Sequence, residues 1–235
     1  MSKQNELTRY KEFIDTHFPS NVWTSKQGRL KTIDKLHSLA YDNLILIEVF
    51  QSWIEEHACQ CNKQFLSDFK EYINSILVAL PVNHVGFVGY LIRSAVETLL
   101  KMLYSLAYPD KDQSTIARTA FRNLKDELKE AYKIKESTKL PKLSQLFSLY
   151  GTYSKEIHAH LTNNFNALGT LDYYVSNYFE KMSHFVKDVN AIFKLFIELL
   201  CEAINFNFQE LTFASIIRLE RNLDPENLAI IKEMA

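Results

Sequence analysis

Five glycines and five prolines are the only strong chain breakers in 235 residues. A sandwich or barrel of short strands needs a turn about every 8–12 residues, and so few breakers cannot supply them. Between the breakers, apolar residues recur three and four positions apart, which places them along one face of a helix. With 47% hydrophobic residues there is ample material for a core. The chain therefore reads as all-α, with well over half its residues helical and no substantial sheet.

The punctuation marks out the helices. Pro19-Ser20-Asn21 stops a first helix over 5–18. A long periodic segment then runs from about Lys26 to Cys61, with Leu36, Leu39, Ala40, Leu44, Ile47, Phe50 and Ile54 as its apolar stripe. Helices are expected over 62–80 and 83–108, split by Pro81 and an Asn83 cap. Pro109-Asp110-Lys111-Asp112 ends the fourth helix and caps a charged fifth, read as one helix over about 114–136. Pro141 opens a sixth, continuing past Gly151 to His160. A Tyr- and Phe-rich helix over 171–206 follows, then two short ones, the last begun by Asp224-Pro225-Glu226 as cap, first-turn proline and acid. There is no internal repeat, low-complexity tract or long linker. The expected architecture is a single antiparallel helical bundle, residues 1–235, with small terminal helices.

Twenty-seven basic against 28 acidic side chains give a net charge of −1. That lacks the broad electrostatic footprint of a strong nucleic-acid binder, though it leaves room for a local basic patch. Residues 72–92 carry no formal charge, but Asn74, Pro81, Asn83, His84, Gly86 and Gly89 make this two helix ends rather than a membrane span. Cys59, Cys61 and Cys201, an odd number without an apolar leader, read as reduced cytoplasmic thiols. His57, Cys59 and Cys61 alternate along a helical segment and cannot converge on one ion, so no metal or other cofactor is expected.

Two features bear on chemistry. Arg93 and Glu97, four apart in a strongly apolar helix, must either pair as a register-pinning salt bridge or line a cleft. His158 stands four after Ser154, and His160 four after Glu156; both histidines also fit ordinary boundary positions. The aromatics Tyr173, Tyr174, Tyr178, Phe179, Phe185, Phe193, Phe196, Phe206 and Phe208 exceed one narrow stripe, so either core packing or a partner helix takes the surplus.

Arg93-Ser94-Ala95-Val96-Glu97, a charged helix after it, then Leu149-Tyr150 and Ser154-Lys155-Glu156-Ile157-His158 resemble the HEPN-like helical proteins of prokaryotes. The similarity spans about residues 83–206 and is to divergent branches with an Arg-x-x-x-Glu helix and a later Ser-x-x-x-His segment. It implies an often dimeric helical bundle of toxin–antitoxin, abortive-infection or CRISPR-linked defence systems. Many such proteins are metal-independent endoribonucleases whose Arg and His share one helix near a dimer interface. Here no Arg stands just ahead of His158 or His160, and the nearest base is Lys155. The resemblance implies RNA as substrate and a homodimer or protein partner. His158 would move protons, Arg93 would meet the phosphate, Glu97 would orient Arg93, and Ser154 would touch the phosphate. A non-catalytic interaction or scaffold protein of a defence or regulatory complex is the alternative. Arg93, Glu97 and His158 are expected to converge in one polar cleft.

Overall fold

The computed structural model describes residues 3–18, 27–57, 59, 63–79, 85–160 and 182–233. Every regular element among them is helical, as the scarcity of breakers requires. In chain order these are α1 Lys3–His17, α2 Gln27–Glu56, α3 Lys63–Ala79, α4 Val85–Ala107, α5 Gln113–Arg118, α6 Phe121–Ile134, α7 Leu140–His160, α8 Met182–Ala203, a 3₁₀ turn Phe208–Glu210, α9 Phe213–Asn222 and α10 Pro225–Lys232. No helix among the described residues is long and apolar enough to cross a membrane.

The core forms around α4, which packs against α3, α5, α6, α7 and α8. Val88, Leu91, Ile92, Ala95, Val96, Leu99, Leu100, Met102 and Leu103 of α4 are all buried. This is more than one stripe, because α4 meets neighbours on most of its circumference. Aromatic contacts tie α2, α3 and α8 together: Phe50 meets Phe196 edge-on at 5.7 Å, and Phe69 stacks on Phe196 at 4.6 Å. Trp53 Nε1 donates to the Ile204 carbonyl at 3.2 Å, so even the largest buried ring has its one polar atom satisfied. Phe185, Phe193, Phe196 and Phe206 are buried in the core, and Phe208 packs partly buried against it. Tyr173, Tyr174, Tyr178 and Phe179 lie outside the described residues.

Two expectations of local structure are corrected. The charged fifth segment is two helices, α5 and α6, because Thr119 and Ala120 are extended between them. The break frees Phe121 to stack on Tyr150 of α7 at 3.7 Å. Asp112 caps α5 as expected, its carboxyl held down at about 2 by the Ser114 hydroxyl and the Thr115 N–H. Asp224 stands at the cap position of α10, yet its side chain makes no capping hydrogen bond. Its carboxylate instead accepts from Ser38 Oγ at 2.6 Å and Lys3 Nζ at 2.9 Å.

That diversion builds a buried polar cluster between the two ends of the chain. Asp42 on α2 is fully buried and accepts from Lys3 Nζ at 2.6 Å, Asn227 Nδ2 at 2.7 Å and the Asp224 backbone N–H at 3.1 Å. Burial pushes the Asp42 carboxyl above its ordinary range, against the opposing pull of Lys3. A carboxyl with a raised folded pKa contributes its full stability below its unfolded pKa and loses it as pH rises through the folded one.

With few glycines, two helices end on other residues in the left-handed region. Asn205 has φ 49° and Glu136 has φ 51°. The following N–H groups of Phe206 and Ser137 reach back to Cys201 O at 2.8 Å and Tyr132 O at 3.0 Å, closing the helix ends. Asn tolerates this conformation, whereas Glu adopts it at a cost of roughly 1–2 kcal/mol.

Two stability predictions follow from these contacts. Lys3→Met strands the Asp42 carboxylate and should cost about 3 kcal/mol at neutral pH in urea denaturation. The deficit should shrink as the pH is lowered and Asp42 takes up a proton. Glu136→Gly should instead stabilise the fold by about 1 kcal/mol, read as a higher urea midpoint.

Candidate functional site

One strip of α4 carries charge, meeting α7 at Arg93 and α5 at Lys101. Arg93, Glu97 and Lys101 follow one another at four-residue spacing there, with side chains 30%, 26% and 15% exposed. Glu97 is shared: Oε1 is 2.9 Å from Lys101 Nζ and Oε2 is 3.4 Å from Arg93 Nη2. Lys101 also donates to the Ala117 carbonyl of α5 at 2.8 Å. Glu97 therefore lies closer to Lys101 and neutralises Arg93 only loosely. Two cations and one carboxylate leave the strip with one excess positive charge.

Arg93 bridges the helices. Its Nε donates to Ser154 Oγ at 3.1 Å and its Nη2 to Tyr150 Oη at 2.6 Å, both on α7. The guanidinium carbon lies 4.8 Å from the centroid of the Tyr150 ring. Tyr150 is fixed in turn by the stacked Phe121. Two neutral hydroxyls thus hold the guanidinium in one orientation without cancelling its charge, and neither Nη1 proton has a partner among the described residues. Such a group can take an anion in the plane of its remaining donors.

Of the four residues expected to act together, Arg93, Glu97 and Ser154 meet at this seam. His158 belongs to α7, one turn beyond Ser154 on the same helix. The side chains of His158 and His160 lie outside the described residues. Lys155 is exposed and follows Ser154 directly.

Two groups at or near the seam escaped the sequence reading. Tyr150, noted only as part of a resemblance, makes the shortest contact to Arg93. Tyr153, fully buried, donates to Asp188 Oδ2 of α8 at 2.6 Å, and His184 Nε2 lies 3.4 Å from the same oxygen. His184 and Asp188 are four apart on α8, so the rule that singled out Arg93 and Glu97 would have found them. Gly89 of α4 abuts Tyr153, where an added Cβ would be 3.6 Å from Cδ1. At the other end of α2, His57 stacks on Trp53 with centroids 3.7 Å apart, and Cys59 Sγ lies 4.0 Å from the Ile204 carbonyl. Cys61 lies outside the described residues.

Comparison with protein-family models, with curated proteins and with solved structures finds no match for this chain. The functional reading therefore rests on residue chemistry and geometry.

If Tyr150 holds Arg93 as this geometry indicates, Tyr150→Phe should cost about 1 kcal/mol of stability. In a double-mutant cycle with Arg93→Ala the two losses should be non-additive, because each single change removes the same bond.

Proposed function

We propose that this chain is an RNA-directed, HEPN-like protein in which Arg93 takes a phosphate and His158 moves protons in metal-independent strand cleavage. The observation that carries this reading is the Arg93 bridge. A part-buried guanidinium on α4 is fastened to Tyr150 and Ser154 of α7, the helix that also carries His158. Cation and imidazole thereby sit on helices that are joined to one another, although no Arg precedes His158 on its own helix.

The chemistry needs little more. A neutral imidazole takes the proton from a ribose 2′-hydroxyl, whose oxygen then attacks the neighbouring phosphorus. The bond to the 5′-oxygen breaks, the leaving oxygen gains a proton, and a 2′,3′-cyclic phosphate remains on the other fragment. Arg93 stabilises the charge that builds on the phosphate oxygens, held ready by hydroxyls that need no rearrangement. The role in the cell is that of a toxin or phage-defence component, consistent with the resemblance.

A second reading is favoured by the same bonds: Nε and Nη2 of Arg93 are already satisfied inside the protein, which suits a structural pin in a non-catalytic binder or scaffold. Labelled oligoribonucleotide incubated with the purified chain and a chelator separates the two. On the first reading the strand is cut to cyclic-phosphate ends. His158→Ala should then lower the rate about 10²–10⁴-fold with binding retained, His184→Ala should not, and Arg93→Ala should weaken binding and cleavage together. Binding without any cleavage by the wild-type chain would establish the second reading instead.

A further inference from the structure

A groove of about 470 Å³ lies between α6 and α7, on the side of α7 next to Arg93's contacts. Lys125 and Lys129 of α6 line one wall; Ser144, Ser148, Thr152 and Lys155 of α7 line the other. No carboxylate lines it. None of the three lysines has an ion-pair partner among the described residues, whereas Lys101 of α4, Lys111 in the turn before α5 and Lys142 of α7 all do. Lys125 and Lys129 are also half-buried. Ammonium groups sharing one groove raise its positive potential, and the partial burial of Lys125 and Lys129 weakens the screening by water.

The walls are suited to an anion in other ways. Lys129 Nζ is 5.7 Å from the centroid of Phe147, so the aromatic ring supports the lysine while its charge stays at the groove. The hydroxyls of Ser144, Ser148 and Thr152 repeat every turn, each donating to the carbonyl one turn back at 3.1, 3.2 and 3.1 Å. Each can rotate its proton outward to an acceptor for the loss of one weak intrahelical bond. From Ser144 to Lys155 the donors extend about 16 Å along the helix. Gly151 keeps the floor low: a Cβ there would meet nothing within 4 Å.

We infer that this groove is a binding site for linked phosphates, either the phosphodiester backbone of a nucleic acid strand or a free oligophosphate. A row of compact cations interleaved with hydroxyl donors matches repeated, strongly accepting anions better than a single carboxylate. On the RNA reading a strand in the groove continues towards Arg93, whose partners Tyr150 and Ser154 each precede a groove residue on α7. That direction rests on the RNA reading above; the phosphate site itself does not.

Two probes and two sets of substitutions test this on the full chain. The probes are a fluorescent oligouridylate and inorganic tripolyphosphate. One variant carries Lys125→Gln, Lys129→Gln and Lys155→Gln; the other, Gly151→Glu, places a carboxylate in the groove at an open helical position where folding is not impaired. Both variants should keep the helicity of the wild type and bind each probe at least about tenfold more weakly. For oligouridylate the slope of log affinity against log salt should fall by about 2 in the triple variant, since each lost phosphate contact is worth roughly 0.7. Tripolyphosphate bound through these lysines with no oligouridylate binding would support the groove as a free oligophosphate site and overturn the RNA reading. Oligouridylate binding lost with Arg93→Ala but unchanged in both groove variants would overturn the groove and leave the RNA reading standing. Variants that match the wild type on both probes, or a wild type that binds neither, would overturn the groove.

Discussion

Burial of α4 on most of its circumference sets the terms for everything else in the molecule. A helix enclosed by five others offers almost no place for a charge, and the apolar run from Val88 to Leu103 obeys that restriction. Arg93, Glu97 and Lys101 are admitted only on one strip, which meets α7 at Arg93 and α5 at Lys101, and there each is tied to another residue. Tyr104 shows the same rule at the far end: its buried hydroxyl donates to Glu127 at 2.6 Å, and burial raises its pKa. Lys111 bonds both partners and is pushed up to about 12, first by Glu127 and then by Tyr104. The polar residues of α4 thus double as the fasteners of its neighbours.

Helix content was legible in the sequence because breakers and three-to-four periodicity act locally. The boundaries of the helices expected over 5–18, 62–80 and 83–108 were legible within a few residues for the same reason. The extended Thr119-Ala120 was not, since Ile116, Leu124 and Leu128 keep a helical spacing straight across it. The break coincides with a distant contact, the stacking of Phe121 on Tyr150. Asp224 teaches a related lesson. Its position as a cap is a local property, but the partners its carboxylate takes, Ser38 and Lys3, are 186 and 221 positions away.

The site divides along the same line. Arg93 with Glu97, and Lys125 with Lys129, are pairs within one helix and follow from spacing alone. That Arg93 would reach Tyr150 and Ser154, or that Lys125 and Lys129 would face Ser144 and Thr152, depends on which helix packs on which. Net charge concealed the groove as well: a balance of −1 over 235 residues is an average in which the excess cations at α6 and α7 are cancelled by acids elsewhere.

The cluster around Asp42 has a consequence in time. Ribosomal synthesis runs from the N-terminus, so Lys3 and Asp42 emerge before the Asp224 and Asn227 that complete the cluster, which follow Lys3 by more than 220 positions. At roughly 5–20 residues per second, that interval is about 10–40 s. Throughout it α2 presents a carboxylate shaped for burial but lacking the helix that buries it. α1 is meanwhile held to α2 and α3 by contacts of its own, Lys11 with Asp34 and Tyr10 with the Leu77 carbonyl, and the Asp42 cluster closes only when α10 arrives.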